Sequence, residues 1–233
     1  MKQENLKENI QESFDVTLVD SNLESIAENI TELSIDCLLK DGTLKELPIV
    51  GMISGLIKFG VNIHDKLFLK KIISFLKELK DVSADDRKRM IDEIDNSSSY
   101  RIKVGEKLLY IIDNCNDYEN SELVAHAFKF FIEGKINYDD FLKCASVIEK
   151  ITKYDFDWFL SNEDGASIED VPGSLIGAGL LGMQYEIGEI SVSENSHNFL
   201  NPGPKYGAHV EGAGINVYVT KIGELILNIF KSK

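Results

Sequence analysis

Residues 47–80, LPIVGMISGLIKFGVNIHDKLFLKKIISFLKELK, decide the fold of this chain. Eleven residues from Leu47 to Ile57 carry no charge, and Pro48 suits the first turn of a helix, where its missing N–H costs nothing. The run is far shorter than the about 20 apolar residues that cross a bilayer. We therefore predict a buried helix over residues 47–57.

The segment from His64 to Lys80 has the polarity of an amphipathic helix. Its apolar side chains recur every three or four positions, at Phe68, Ile72, Phe75, Leu76 and Leu79. Such a helix either packs in a core with a solvated lysine face, or lies on an anionic membrane or a partner protein. The candidate contacts for a partner or a lipid are Lys58, Lys66, Lys70, Lys71 and Lys77.

Charge is distributed unevenly along the 233 residues. The net charge of the chain is −14: residues 1–46 carry −7, residues 155–233 carry −7, and residues 47–154 have a net charge of zero. Within that middle region, residues 47–80 carry a net charge of +4. An acidic chain repels phosphate backbones unless it has a local basic patch, so DNA is not a favoured partner. With 43% hydrophobic residues the chain can bury a core.

The remaining sequence as far as residue 154 indicates a helical bundle with short connections. After a polar leader, the capping box of residues 21–24 starts a helix that ends near Gly42. Further helices are predicted after Ser83, over 102–112, after Asn120 or Ser121 with Gly134 as the terminal glycine, and after Asn137.

Beyond residue 154 the pattern changes. Residues 155–166 are acidic and predict a loop-like linker, and residues 167–181 predict a helix rich in small residues. A strand over 185–193, with a bulge at Gly188-Glu189, leads through a glycine- and proline-rich loop, 195–214, to a second strand at 215–219. Thr220 caps a last helix, 221–231.

The stretches GSLIGAGLLGMQYEI (173–187) and NVYVTKIGELILNIF (216–230) resemble the closing half of a winged-helix domain. The resemblance lies in the Gly-Leu-Leu turn at 179–181, a two-stranded wing, and the aromatic-x-Thr-x-x-Gly pattern of Tyr218, Thr220 and Gly223. It implies a mainly α protein in which a helical domain (1–154) and a linker (155–166) precede a winged-helix-like α+β domain (167–233).

Members of that family are often DNA-binding regulators, which makes DNA regulation one hypothesis. Residues 168–182 hold no arginine, lysine, asparagine or glutamine to read bases, and they carry Glu169 and Asp170. The residues therefore favour a winged helix used for protein contacts, including self-association. The long wing loop supplies candidate binding residues, which are His197, Lys205, Tyr206 and His209.

The sequence holds no recognised catalytic or metal motif. The four histidines share no metal-ligand spacing, and neither a phosphate-binding glycine loop nor a GxSxG nucleophile turn is present. The three cysteines are isolated, and residues 1–15 lack the apolar core of a secretory signal, so we predict a cytoplasmic location. We predict no catalytic residues, no metal and no cofactor.

Residues 47–76 are similar to small uncharacterised proteins of bacteria and their phages, some encoded near defence genes. That resemblance implies a bacterial or phage setting and a role in phage defence. Our leading hypothesis is a non-enzymatic protein-interaction or regulatory protein. A membrane-active effector that inserts residues 47–80 is the alternative from another class, and a DNA-binding transcriptional regulator is the third.

Overall fold

The structure, a computed structural model, describes residues 2–32, 46–58, 63–162, 170–186, 188–195, 205–211 and 214–231. In the described residues, nine helices precede the C-terminal segment: α1 Lys2–Leu18, α2 Leu23–Glu32, α3 Pro48–Lys58, α4 Ile63–Glu78, α5 Ala84–Asp95, α6 Val104–Asn114, α7 Tyr118–Ile132, α8 Tyr138–Ile148 and α9 Lys153–Ser161. The C-terminal segment holds α10 Gly173–Gly177, β1 Leu181–Glu186, β2 Glu189–Asn195, β3 Lys205–Glu211, β4 Gly214–Val219 and α11 Lys221–Lys231. The prediction of a mainly helical protein with a small C-terminal sheet is confirmed.

Helix α4 lies at the centre of the bundle. It packs most extensively against α7 and also contacts α2, α3 and α6. Its fully buried apolar side chains form one continuous stripe, consisting of Leu69, Ile72, Ile73, Phe75 and Leu76, and buried Leu79 follows just after the end of the helix. The Phe75 ring lies between Phe14 and Phe128, at centroid distances of 6.2 and 5.9 Å. The predicted helices over residues 47–57 and 64–80 are confirmed as α3 and α4, and the apolar side of α4 packs in the core.

Local capping chemistry sets several helix ends as predicted. Ser83 Oγ accepts a hydrogen bond from Asp86 N at 3.1 Å, and Asn137 Oδ1 accepts from Asp140 N at 2.8 Å. Gly134 follows α7 with a φ of 71°, the left-handed conformation that glycine adopts at helix ends. Each contact satisfies backbone groups that a helix end leaves unpaired.

Two predictions in the bundle are wrong in detail. The polar leader is helix α1, and its Phe14 and Leu18 are buried because they pack in the core. Helix α7 is capped by Asp117, whose side chain accepts from Asn120 N at 2.9 Å, and Asn120 and Ser121 lie inside the helix. The end of the helix predicted near Gly42 lies outside the described residues.

A buried arginine joins the first helix to the fifth. The Arg87 side chain is fully buried and donates to the carbonyls of Leu18, Val82 and Asp20, with Nε to Leu18 O at 2.7 Å and Nη2 to Asp20 O at 2.7 Å. Leu18 is the last residue of α1, where carbonyls have no partner within the helix, and Asp20 and Val82 lie in the turns that follow α1 and precede α5, so one guanidinium ties these two turns together. Burial lowers the pKa of Arg87, and the nearby Glu24 and Asp20 carboxylates oppose that shift.

The segment after the bundle departs from the sequence prediction at three points. Residues 153–161, partly within the predicted loop-like linker, form helix α9, because Thr152 caps it and Phe156 and Phe159 pack in the core. The predicted helix 167–181 is reduced in the described residues to α10, 173–177, since Gly179 has a φ of 87° and ends it. Strand β1 consequently begins at residue 181 rather than 185. The division into two domains stays a prediction.

The four strands form two antiparallel pairs, β1 with β4 and β2 with β3. Leu181 faces Val219, Glu186 faces Gly214, and the same register continues from Glu189 opposite Glu211 to Asn195 opposite Lys205. Because the register is unchanged on either side of Gly188, the predicted bulge adds no net residue. Strand β3 occupies part of the predicted loop 195–214, so the described strands form a long two-stranded ribbon.

Candidate interaction surface

The ribbon is attached to the bundle by the two motifs on which the winged-helix resemblance rests. Thr220 Oγ1 donates to Gly179 O at 2.6 Å, and Thr220 N donates to Leu180 O at 3.0 Å. A Cβ on Gly223 would lie 2.4 Å from Leu180 O, so only glycine allows the first turn of α11 to approach this closely. The turn before β1 and the turn after β4 are therefore one junction.

Core contacts continue through this junction into the base of the ribbon. Leu180 and Leu181 are buried together with Ile226 of α11, and Val217 and Val219 of β4 are partly buried and pack against the core. Beyond Leu181, every β1 residue from Met183 to Glu186 is exposed. The ribbon therefore leaves the core after Leu181 on one strand and before Val217 on the other.

One face of the ribbon beyond its base is apolar and exposed. Met183 pairs with Val217 and Tyr185 pairs with Ile215, and alternation along each strand places these four residues on the same face. Met183 is 39% exposed, Tyr185 67% and Ile215 43%. Val217 is partly buried and packs against the core, so the exposed part of this face consists of Met183, Tyr185 and Ile215.

The opposite face is polar. The Tyr218 ring lies over Gly182, where a Cβ would come within 2.4 Å of the ring. Farther along, Asn216 Nδ2 donates to Glu186 Oε1 at 2.7 Å, and Gln184 is exposed. The ribbon thus has one apolar face and one polar face.

Four of the five lysines of the predicted basic surface belong to α4, whose apolar side is already buried. Lys71 Nζ donates to Asp113 O at 2.8 Å at the end of α6, and Lys77 Nζ lies 3.7 Å from Glu122 Oε1. Lys66 is exposed, Lys70 is half-buried, and Lys58 is the last residue of α3. Insertion of this segment into a membrane would require the central stripe of α4 to leave the core.

The predicted loop residues fall in or near β3. Lys205, Tyr206 and His209 belong to β3 and pair with Asn195, Glu194 and Ser191 of β2, whereas His197 lies outside the described residues. The structure therefore places three of the four residues on the outer half of the ribbon.

Two described cysteines are buried, and the histidine of α7 packs against aromatic rings. Cys115 and Cys144 are buried, and burial raises the pKa of the thiols to about 11 and about 12, so both are protonated near neutral pH. The His126 ring stacks with Phe130 at 5.3 Å and Phe230 at 4.9 Å, and so helps to hold α11 on α7. Across the described residues no group of three His, Cys, Asp or Glu side chains could hold a metal ion.

A cleft of about 690 Å³ lies between α5, α7, α8 and α11, with Phe131 and Leu225 among its apolar lining residues. Two polar groups that line it are already paired: Tyr100 donates its hydroxyl hydrogen to Asp139 at 2.9 Å, and Lys135 forms an ion pair with Glu133 at 2.7 Å. The hydroxyl of Tyr138, another lining residue, is buried and has no hydrogen-bond partner among the described residues.

Sequence reasoning missed the apolar face because it began β1 four residues late. The signal was present: Leu181, Met183 and Tyr185 alternate in the same way as Ile215, Val217 and Val219. The glycines of 173–182 were instead assigned to a helix.

No protein-family model, curated protein or solved structure matches this chain. Within the described residues, no helix is both long and apolar enough to cross a membrane.

Proposed function

We propose that this chain is a non-enzymatic protein-interaction protein, and that its C-terminal ribbon, carried by a winged-helix-like module, is the binding element. The observation that supports the proposal is the apolar ribbon face of Met183, Tyr185 and Ile215, exposed beyond an anchored base. Exposed apolar patches with a polar rim mark interaction sites in soluble proteins.

Aromatic residues strengthen this proposal. Tyr185 and Tyr218 are 67% and 52% exposed, on opposite faces of the ribbon. Tyrosine is enriched in protein interfaces because its rigid ring buries a large area and its hydroxyl still finds a polar partner. A partner that covers the apolar face would gain most from Tyr185.

The test is affinity capture by the full chain from a lysate of the organism that encodes it, with Tyr185→Ser compared with Tyr110→Ser. Tyr110 lies on α6 and is 63% exposed, so the two substitutions remove equally exposed rings. We expect a partner identified by mass spectrometry to be retained by Tyr110→Ser and lost by Tyr185→Ser. Equal retention by both variants would remove the ribbon as the binding element.

The resemblance of residues 47–76 to small bacterial and phage proteins adds a setting, phage defence, to this proposal. Phage plating on a bacterial host with and without the chain tests that setting. A defence role requires that plating drops with the wild-type chain and recovers with Tyr185→Ser.

A further inference from the structure

The outer edges of the ribbon have no strand partner in the part of the chain that the structure describes. Each described sheet has two strands, so β1 and β4 are both edge strands. An edge strand presents a row of N–H and C=O groups that another chain can pair with. The apolar face beside those edges adds side-chain contacts to such a pairing.

Of the two edge strands, β4 is better suited than β1 to pair with a strand from another chain. Its sequence, GINVYV, has neither charge nor proline, although edge strands are usually protected by such residues. Ile215, Val217, Tyr218 and Val219 favour extended backbone, whereas β1 holds Gly182 and ends in Glu186. Gly214, Ile215 and Asn216 are exposed, so the outer end of β4 is within reach of a partner.

The negative charge of the ribbon favours a different protein, rather than a second copy of this chain, as the binding partner. The four strands contain Glu186, Glu189, Glu194 and Glu211 against one basic residue, Lys205, in a chain of net charge −14. A second copy would bring the same negative charge to the interface, which opposes pairing. A basic strand is complementary.

The two faces of the ribbon determine which types of residue should alternate along the added strand. Alternate residues of an added strand lie on the same faces as those of β4. One set would meet the apolar face of Met183, Tyr185 and Ile215, and the other would meet the polar face that carries Glu186. We infer, building on the proposed function, that the ribbon binds an extended segment of alternating apolar and basic residues, which adds as a strand to the edge of β4.

The experiment measures binding of a fluorescent peptide of alternating lysine and valine, about six residues long, to the full chain by anisotropy. One control peptide has glutamate in place of lysine. A second keeps the lysine–valine sequence but carries methyl groups on alternate backbone nitrogens, which removes ladder hydrogen bonds without changing charge. We expect the lysine–valine peptide to bind, and each control to bind about tenfold more weakly or less.

A matched pair of protein variants locates the site. Ile215→Lys introduces a charge on the apolar face, and Ile102→Lys does the same at an exposed isoleucine of similar exposure, 43% against 48%, outside the ribbon. We expect Ile215→Lys to weaken peptide binding about tenfold and Ile102→Lys to leave it within about twofold. Circular dichroism confirms that both variants fold.

Amide hydrogen exchange of the wild-type chain gives a second measurement that needs no variant. The bound lysine–valine peptide should slow exchange in residues 214–219. Equal binding of the methylated peptide, equal effects of the two lysine variants, or exchange slowed elsewhere but not in β4 would each overturn the inference. A partner lost by Tyr185→Ser alongside no peptide binding would refute strand addition and leave the proposed function standing.

Discussion

Helix α4 and the C-terminal ribbon present the same kind of sequence pattern and have opposite environments. Both place apolar residues on one face and polar residues on the other. In α4 the apolar face, including Ile72 and Phe75, is 0% exposed, whereas Met183, Tyr185 and Ile215 of the ribbon are 39–67% exposed. Periodicity therefore tells which residues share a face, and tertiary neighbours alone decide whether that face is covered.

The neighbours differ for a geometrical reason. Helices α2, α3, α6 and α7 pack against α4, and Phe14 of α1 adds a ring contact with Phe75, so the apolar stripe of α4 is enclosed by the bundle. The described ribbon contacts the bundle through its base, which consists of Leu181, Val217, Val219 and the Thr220 junction, and it is two strands wide. An isolated pair of strands cannot enclose an apolar face by itself.

Truncation of the α4 face should give the largest effect on stability. Phe75→Ala removes a fully buried ring between Phe14 and Phe128 and leaves a cavity, so we expect the free energy of unfolding to fall by about 3–5 kcal/mol. Urea denaturation measures the change. Leu67→Ala, on the same helix at a position 54% exposed, is the control and should cost less than about 1 kcal/mol. Similar costs for the two variants would remove the assignment of α4 to the core.

The junction between the two regions should come next. Gly223→Ala puts a methyl group 2.4 Å from Leu180 O, so we expect a loss of about 1–3 kcal/mol although alanine normally favours a helix. The matched control is Gly177→Ala, where nothing lies within 4 Å of the added carbon. Thermal unfolding compares them, and a stabilised Gly223→Ala would show that α11 does not pack against the start of the ribbon.

The charged form of Asp15 should destabilise the folded protein at the contact between α1 and α6. Asp15 is half-buried, and its carboxylate occupies the space that a Cβ on Gly105 would fill. Burial raises the pKa of Asp15 to about 6, and the nearby negative charge of Asp95 contributes to the rise. Glu106 and Glu12 raise this pKa further, and Lys103 lowers it. The folded protein is therefore more stable when the Asp15 carboxyl is protonated than when it is charged.

The sign of the pH effect follows from that raised pKa. Because the folded pKa exceeds the ordinary value, the stabilisation is complete below about pH 4 and is lost as pH rises to about 6. Asp15→Asn should remove this loss and stabilise the protein at pH 7 by about 1 kcal/mol, after allowance for solvent screening. Unfolding curves of both proteins from pH 4 to pH 7 should diverge with rising pH. A constant difference would contradict the environment assigned to Asp15.

The apolar ribbon face should give the smallest effect on stability. Tyr185→Ser removes a ring that is 67% exposed, so we expect the free energy of unfolding to change by less than about 0.5 kcal/mol. Urea denaturation measures it, with Tyr110→Ser as the control. A cost above about 2 kcal/mol would mean that the ring is covered within the folded chain.

Local chemistry accounts for the parts of the fold that the sequence predicts well. Ser83, Asn137, Gly134 and Thr220 act within a few residues of their own positions, so their roles follow from neighbouring sequence. The central helices follow from their apolar spacing alone.

The rest depends on contacts between distant residues. Arg87 reads as a surface cation, yet it is buried because carbonyls at the end of α1 accept its hydrogen bonds. The base of the ribbon depends on Thr220 reaching Gly179, and its exposed face depends on a strand that begins at Leu181, four residues before the predicted start. The lysine surface was predicted from composition, but Lys71 and Lys77 bond within the bundle.

Site-specific photo-crosslinking compares the two regions most directly. A photoreactive amino acid is placed at Tyr185 of the ribbon or at Leu67 of α4, positions that are 67% and 54% exposed, and each full-length protein is irradiated in lysate of the encoding organism. We expect a defined crosslinked partner from position 185 and none from position 67. A partner captured from position 67 and not from position 185 would contradict the assignment of the ribbon as the binding surface.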